Sequence, residues 1–174
     1  MRHLLFSLTA MCILTVVVSC GSSTNESAIP VNLNQVLEQN LQDSTLVTGW
    51  YYVLHTQDGF KRQLDKTDEF YYIDPNPIVV KEHFSKVEIY EVDHFKEQPG
   101  KFLALSIQID KQYEHLWADA TEKSIGKWIA LIIDNKLVSA PRVNMKIESG
   151  RTSLNRGIYT KEELESFINE IGLE

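Results

Sequence analysis

Lys127-Trp128-Ile129-Ala130-Leu131-Ile132-Ile133-Asp134-Asn135-Lys136-Leu137-Val138-Ser139-Ala140-Pro141 is the stretch on which the reading of the fold turns. Trp128 to Ile133 is apolar at every position, so both faces of the strand it forms are covered and the strand is interior to its sheet. Trp128 counts as core on this reading. Asp134-Asn135 turns the chain, because Asp and Asn tolerate the positive φ that tight turns need. Leu137-Val138 returns as a second strand. Pro141 has no N–H for a ladder and ends it.

Upstream, Phe102 to Ile109 alternates. Leu103, Leu105, Ile107 and Ile109 share one face, and Ala104, Ser106 and Gln108 share the other. Asp110 is placed as a helix N-cap. Tyr113, Leu116, Trp117 and Ala120 then repeat at helical spacing over residues 111–123, with Ile125-Gly126 ending the helix. Strand, helix and strand over residues 102–133 read as a crossover unit, right-handed if its strands are parallel in one sheet. Downstream, Val143, Met145 and Ile147 alternate with Asn144 and Lys146 as a short strand. Glycine turns at Ser149-Gly150 and Arg156-Gly157 flank a segment at Thr152–Leu154. Thr160 and Glu163 form a capping box, and Leu164, Phe167, Ile168 and Ile171 line the last helix.

Toward the N-terminus, Gly49 to His55 is aromatic and β-branched, as strands prefer. Asp58-Gly59 predicts a hairpin to a return strand at Phe60–Leu64. Glu69 to Ile73 is another strand, stopped by Asp74-Pro75-Asn76-Pro77. Ile78-Val79-Val80 is a short extended piece, and Val87, Ile89 and Val92 mark a strand over residues 86–92. Leu33, Val36, Leu37 and Leu41 suit a short amphipathic helix over residues 32–42. Continuation of a tether is the alternative there. The fold class expected is α+β: a mixed or antiparallel sheet with helices packed mainly on one face, including a strand-helix-strand-hairpin unit and a C-terminal helix.

Residues 1–19 read as a secretory signal. Met1-Arg2-His3 is short and basic, and Leu4 to Val18 is almost wholly apolar but short of the 20 or so residues of a membrane span. It ends in Val17-Val18-Ser19-Cys20-Gly21, which resembles the bacterial lipobox. That resemblance implies cleavage before Cys20, lipidation of its thiol, and anchoring to a membrane of the cell envelope. Residues 20–31 are Gly/Ser/Thr/Asn-rich and close on Pro30, as a flexible tether does. Residues 32–174 are then one domain. The 174 residues hold 17 basic and 24 acidic side chains; the signal takes only Arg2 with it, leaving a net charge of −8. An acidic balance of that kind argues against nucleic acid as a partner. Both cysteines, Cys12 and Cys20, lie in the N-terminal segment, so the domain has neither a disulfide framework nor a cysteine metal cluster.

From about residue 100 to 172 the ordered motifs resemble the head subdomain of the first periplasmic domain of SecD, an accessory of the Sec translocon. They are Thr121, Gly126-Lys127, Ile129 to Ile133, Asp134-Asn135, Ser139-Ala140-Pro141, Gly150, and Gly157-Ile158-Tyr159-Thr160-Lys161-Glu162-Glu163. Weaker similarity extends back toward residue 72. Asn135 replaces the usual glycine, and Ser149 stands where a second glycine is common. The resemblance implies contact with polypeptide emerging from the channel, without the membrane-spanning part of that family that couples to proton flow.

The residues themselves name no reaction. His55, His83, His94 and His115 have no metal-ligand spacing. Asp65, Asp68, Glu69 and Asp74 suit turns. No nucleophile elbow, P-loop or dinucleotide glycine pattern is present. No catalytic residue, metal or cofactor is expected. Two aromatic groups, Trp50-Tyr51-Tyr52 and Phe70-Tyr71-Tyr72, suit a groove, and the sheet edge beside Asp134 suits an added strand. Trp50, Tyr51, Tyr71 and Asn135 are therefore the candidate partner-binding residues, and exported or unfolded polypeptide is the candidate partner. A structural envelope component with one fixed partner, or an unrecognised envelope hydrolase, is the alternative.

Overall fold

The computed structural model describes residues 45–93 and 100–173. Cys20, the tether, the segment over residues 32–42 and His94 lie outside them. The strands are β1 (Gly49–Leu54), β2 (Phe60–Gln63), β3 (Phe70–Val80), β4 (Phe84–Asp93), β5 (Lys101–Ile109), β6 (Ile129–Ile133), β7 (Lys136–Ser139) and β8 (Arg151–Leu154). The helices are α1 (Glu114–Lys123), entered through a 3-10 turn at Lys111–Tyr113, and α2 (Lys161–Ile171). The class is α+β, as expected, but the strands form two antiparallel sheets rather than one. One has the order β2-β3-β1-β6-β7 and the other β4-β5-β8.

The larger sheet closes on itself. Leu64, just past β2, bridges Leu137 of β7 in parallel, and Asp65 N donates to Leu137 O at 2.8 Å. Inside lie Tyr51, Leu64, Ile73, Ala130, Ile132 and Leu137, with Leu46 at one end. A barrel this small is filled by its own side chains. Its outer wall, with Trp50, Val79, Ile129, Leu131, Ile133 and Val138, packs on the main core. Leu105, Ile107, Ile109 and Leu154 of the second sheet, Trp117 of α1, and Leu164 and Ile171 of α2 complete that core. Both helices thus stand on the outside of the barrel. The unbroken apolar run of β6 is explained: Ala130 and Ile132 face the interior while Ile129, Leu131 and Ile133 face the main core.

The same geometry corrects the crossover. β5 pairs with β4 and β8, and β6 pairs with β1 and β7, so the two strands belong to different sheets. β5 has one apolar face and suits a sheet open on the other side, whereas β6 needs cover on both. The hairpin expected at Asp58-Gly59 is corrected too. β3 is eleven residues long and lies between β1 and β2, pairing with each. It passes so close that a Cβ on Gly59 would sit 2.6 Å from Ile73 O. Asp74-Pro75-Asn76-Pro77 does not end β3. The register against β1 slips there, from Tyr51 opposite Pro77 to Val53 opposite Ile73, so that Pro75 lies in the bulge and Pro77 sits between two register slips.

Asp134 and Asn135 have φ of 47° and 60°, the left-handed turn that the sequence predicts. Thr160 Oγ1 accepts from Glu163 N while Thr160 N donates to Glu163 Oε2, closing the capping box. Asp110 caps the 3-10 turn through Gln112 N at 3.0 Å. Residues 143–147 do not form a strand. Val143 makes one bridge, to Ile125, and Met145 is 69% exposed, because Ile147 N is taken by the Thr121 hydroxyl (3.0 Å) rather than by a ladder.

Candidate functional site

β1 lies between β3 and β6 in the closed sheet, with the main core against one face and the barrel interior against the other. Trp50 is fully buried against Trp117, with ring centroids 5.2 Å apart, and Tyr51 is buried inside the barrel with its hydroxyl donating to Val47 O at 2.7 Å. Neither can present a face to a partner, which corrects their place among the binding residues. Tyr71 is half-buried and donates to Glu69 Oε2 at 2.8 Å. Burial, and then the neighbouring Glu69, push its phenol pKa up.

Asn135 has a structural job. Its Oδ1 accepts from Leu46 N and from Arg62 Nη2, both at 2.9 Å. Asp134 N donates to Thr48 Oγ1 at 3.2 Å, so the turn grips the chain as it enters β1. Arg62 is only 8% exposed, and burial lowers its pKa. Beside it lies a cavity of about 580 Å³, bordered by Asp65, Lys66, Asp68, Asn135 and Lys136. The edge of β7 is not free. Leu137 O takes Asp65 N, and Val138 O takes Arg156 Nη1 and the Tyr159 hydroxyl, both at 3.1 Å. The expected strand-addition edge beside Asp134 is therefore sealed by barrel closure.

A different aromatic is displayed. β6 starts at Ile129, so Trp128 falls one residue short of it and is 37% exposed, not core. It pairs singly with Arg142, whose guanidinium stands 5.9 Å from the indole centroid and whose Nε donates to Gly126 O at 2.9 Å. Ile125 beside it is 51% exposed. Trp128 borders a cleft of about 420 Å³ at the end of β1, with Tyr52, Val53, His55, Asp74, Lys123 and Lys127. Burial, followed by the charges of Asp119 and Asp74, raises the Tyr52 pKa. The sequence signal for this cleft is weak: the charge of Lys127 beside the tryptophan is its only mark.

The second sheet has an open face. Lys86, Glu88 and Tyr90 of β4 lie opposite Gln108, Ser106 and Ala104 of β5, and Arg151 and Ser153 of β8 continue the row. Glu88, Tyr90, Ser106, Arg151 and Ser153 border a shallow depression of about 450 Å³.

The histidines and acids stay apart. His55 and His115 are exposed, while His83 stacks on Tyr113 with centroids 3.8 Å apart. Asp74 Oδ1 accepts from Asn76 N at 2.8 Å, a turn contact. Asp65, Asp68 and Glu69 lie in or beside the loop at the barrel seam. Among the described residues no group of three or more His, Cys, Asp or Glu is placed to hold a metal, and no helix is long and apolar enough to cross a membrane.

A barrel sealed at its edges, joined through one core to an open three-stranded sheet, defines an α+β domain that displays surfaces rather than enclosing a pocket. The family description "SecDF, P1 head subdomain" matches residues 56–168, and the chain belongs to that family. The match starts well before residue 100 and takes in most of the barrel as well as the open sheet. The protein translocase subunit SecD of Rhodothermus marinus is 34% identical over 64 residues, 37% of this chain and 10% of that protein. SecD of Desulfurispirillum indicum is 36% identical over 59 residues, 34% of this chain and 11% of that protein. These matches thus cover about a tenth of each relative. The crystal structure of SecDF in its super-membrane-facing form shares the fold over 80% of this chain and 20% of that one, with a TM-score of 0.55 and 14% identity. A second SecDF structure, described as a membrane component that enhances protein export, gives a TM-score of 0.54 at 13% identity, over 80% of this chain and 68% of that one.

Proposed function

We propose that this chain is a non-enzymatic lipoprotein of the bacterial cell envelope, anchored through Cys20, whose head domain binds exported or unfolded polypeptide at the cleft beside Trp128. The observation that carries this reading is the exposed indole on a domain of the SecD head family. A large ring left in solvent beside an apolar-walled cleft is a surface that gains by being covered. Arg142 and Lys127 flank the ring, and their aliphatic stems extend the apolar surface while their charges stay wet. Tyr52, at the other side of the cleft, offers an amphipathic ring to a passing chain.

A photo-crosslinking residue in place of Trp128 tests this in cells. Capture of many different exported chains is the expected result. Capture of one fixed partner moves the assignment to a structural envelope component, and capture of nothing overturns the binding site. The anchor has its own test: Cys20→Ala shifts the processed protein from the membrane to the soluble fraction, and retention on the membrane with the signal removed overturns lipidation.

A further inference from the structure

β4 is a ten-residue strand at the edge of the open sheet, and its partner on one side is β5. Among the described residues no backbone group hydrogen-bonds to its other side. At roughly 3.3 Å per residue the strand offers some 30 Å of alternating N–H and C=O groups. It contains no proline, and among the described residues no strand pairs with its outer edge, in contrast to β7, whose outward carbonyls are filled by Asp65, Arg156 and Tyr159.

We propose that the outer edge of β4 is a strand-addition site that takes an extended polypeptide as a fourth strand of the open sheet. The chemistry of the edge names the occupant, because a row of alternating donors and acceptors at strand spacing is matched by another extended backbone and by little else. The charges of the open sheet balance, with Lys86, Lys101 and Arg151 against Glu88, Glu91 and Asp93. Lys86 Nζ lies 2.6 Å from Glu88 Oε2, and Glu91 Oε2 takes Lys101 Nζ at 2.8 Å. No strong field of one sign selects the side chains of an added strand, so main-chain groups carry the recognition and many sequences fit. The exposed row Lys86, Glu88 and Tyr90 would lie beside alternate side chains of the incoming segment. This rests on the proposed function only for the source of the polypeptide; the mode of contact is read from the edge itself.

The test uses the processed protein and a ten-residue extended peptide of alternating Thr and Val, compared with the same peptide N-methylated at alternate residues. The peptide N-methylated at the residues whose N–H groups face β4 is expected to bind at least about a hundredfold more weakly, because several main-chain hydrogen bonds are lost and each costs a factor of several. Binding of the parent peptide is expected to slow amide hydrogen exchange along residues 86–92, and Tyr90→Ala is expected to leave its affinity within about threefold. Equal binding of the two peptides, or exchange protection confined to residues 52–55 and 123–128, overturns strand addition while leaving the Trp128 cleft standing. A protein that is already a dimer in analytical ultracentrifugation, with residues 86–92 protected before peptide is added, also overturns it, since a second copy then occupies the edge. Crosslinks from Trp128 that disappear while protection at residues 86–92 persists separate failure of the cleft from failure of the edge.

Discussion

The two sheets solve the edge problem in opposite ways. The barrel brings Leu64 round to Leu137, so that its first and last strands meet and each apolar face is enclosed. The β4-β5-β8 sheet puts one face on the main core and leaves the other polar and wet, with β4 at its margin. A closed sheet has nothing to offer a partner except its ends and outer wall, and it is correspondingly well determined. An open sheet keeps unpaired backbone and depends on balanced charge to avoid unwanted association. Stability resides mainly in the barrel, while the exposed indole and the open edge are available to a partner.

The largest expected effect sharpens that contrast through packing. Ile132→Ala, in the fully buried barrel interior, is expected to cost about 4 kcal/mol in urea unfolding, because the enclosed wall cannot collapse into the cavity. Val87→Ala, in the half-buried open sheet, is expected to cost about 1 kcal/mol. Equal losses at the two positions show that the barrel is no more tightly packed than the open sheet.

Alkali probes the barrel next. Burial pushes the Tyr51 phenol up to about 12, and burial together with Asp65 raises Tyr159 at the seam. The folded state therefore favours the neutral phenol. The contribution is complete below the ordinary tyrosine pKa near 10 and is lost as pH rises from about 10 toward 12. Unfolding free energies at pH 8 and pH 11 are expected to differ by about 1 kcal/mol from Tyr51 alone, with Tyr159 adding to it. Tyr51→Phe is expected to reduce the difference, and an unchanged difference assigns the loss to other groups.

The smallest effect concerns the turn. Asn135→Gly restores the residue usual in the resembling family and relieves the left-handed backbone, but it deprives Leu46 N and Arg62 of their shared acceptor. Loss of buried hydrogen bonds outweighs a few tenths of conformational relief, so a net destabilisation of about 1 kcal/mol is expected in thermal unfolding. A neutral or stabilising result removes Asn135 from the closure of the barrel end.

Local chemistry was legible where a residue's own properties decide the outcome. The Thr160–Glu163 capping box, the Asp134-Asn135 turn, the alternation of β5 and the uninterrupted burial of β6 all follow from short-range pattern, because caps, positive φ and strand period depend on neighbours a few residues away. The family, too, was readable from the ordered motifs between Thr121 and Glu163. The candidate binding residues fared differently. Trp50 and Tyr51 read alike in sequence whether the faces of their strand are covered or open, and only the main core on one side of β1 and the closed barrel on the other bury them. Trp128 continues the apolar run of β6 in sequence but lies outside its ladder, which no periodicity of one strand can reveal.

Residue pattern was enough for most of the elements, the turn chemistry and the membership of the head family, since each rests on local stereochemistry or on ordered motifs; the strand expected over residues 143–147 and the end expected for β3 at residues 74–77 are the exceptions. Long-range pairing decided that β5 and β6 part into different sheets, that β3 runs on through Pro75 and Pro77 with a bulge rather than ending there, and that Leu64 meets Leu137 to close a barrel. Those outcomes depend on which strands pair across long stretches of chain, and pairing is settled by the total apolar surface enclosed rather than by any one segment. The same closure sealed the edge beside Asp134, while Trp128 and the outer edge of β4 stay exposed among the described residues.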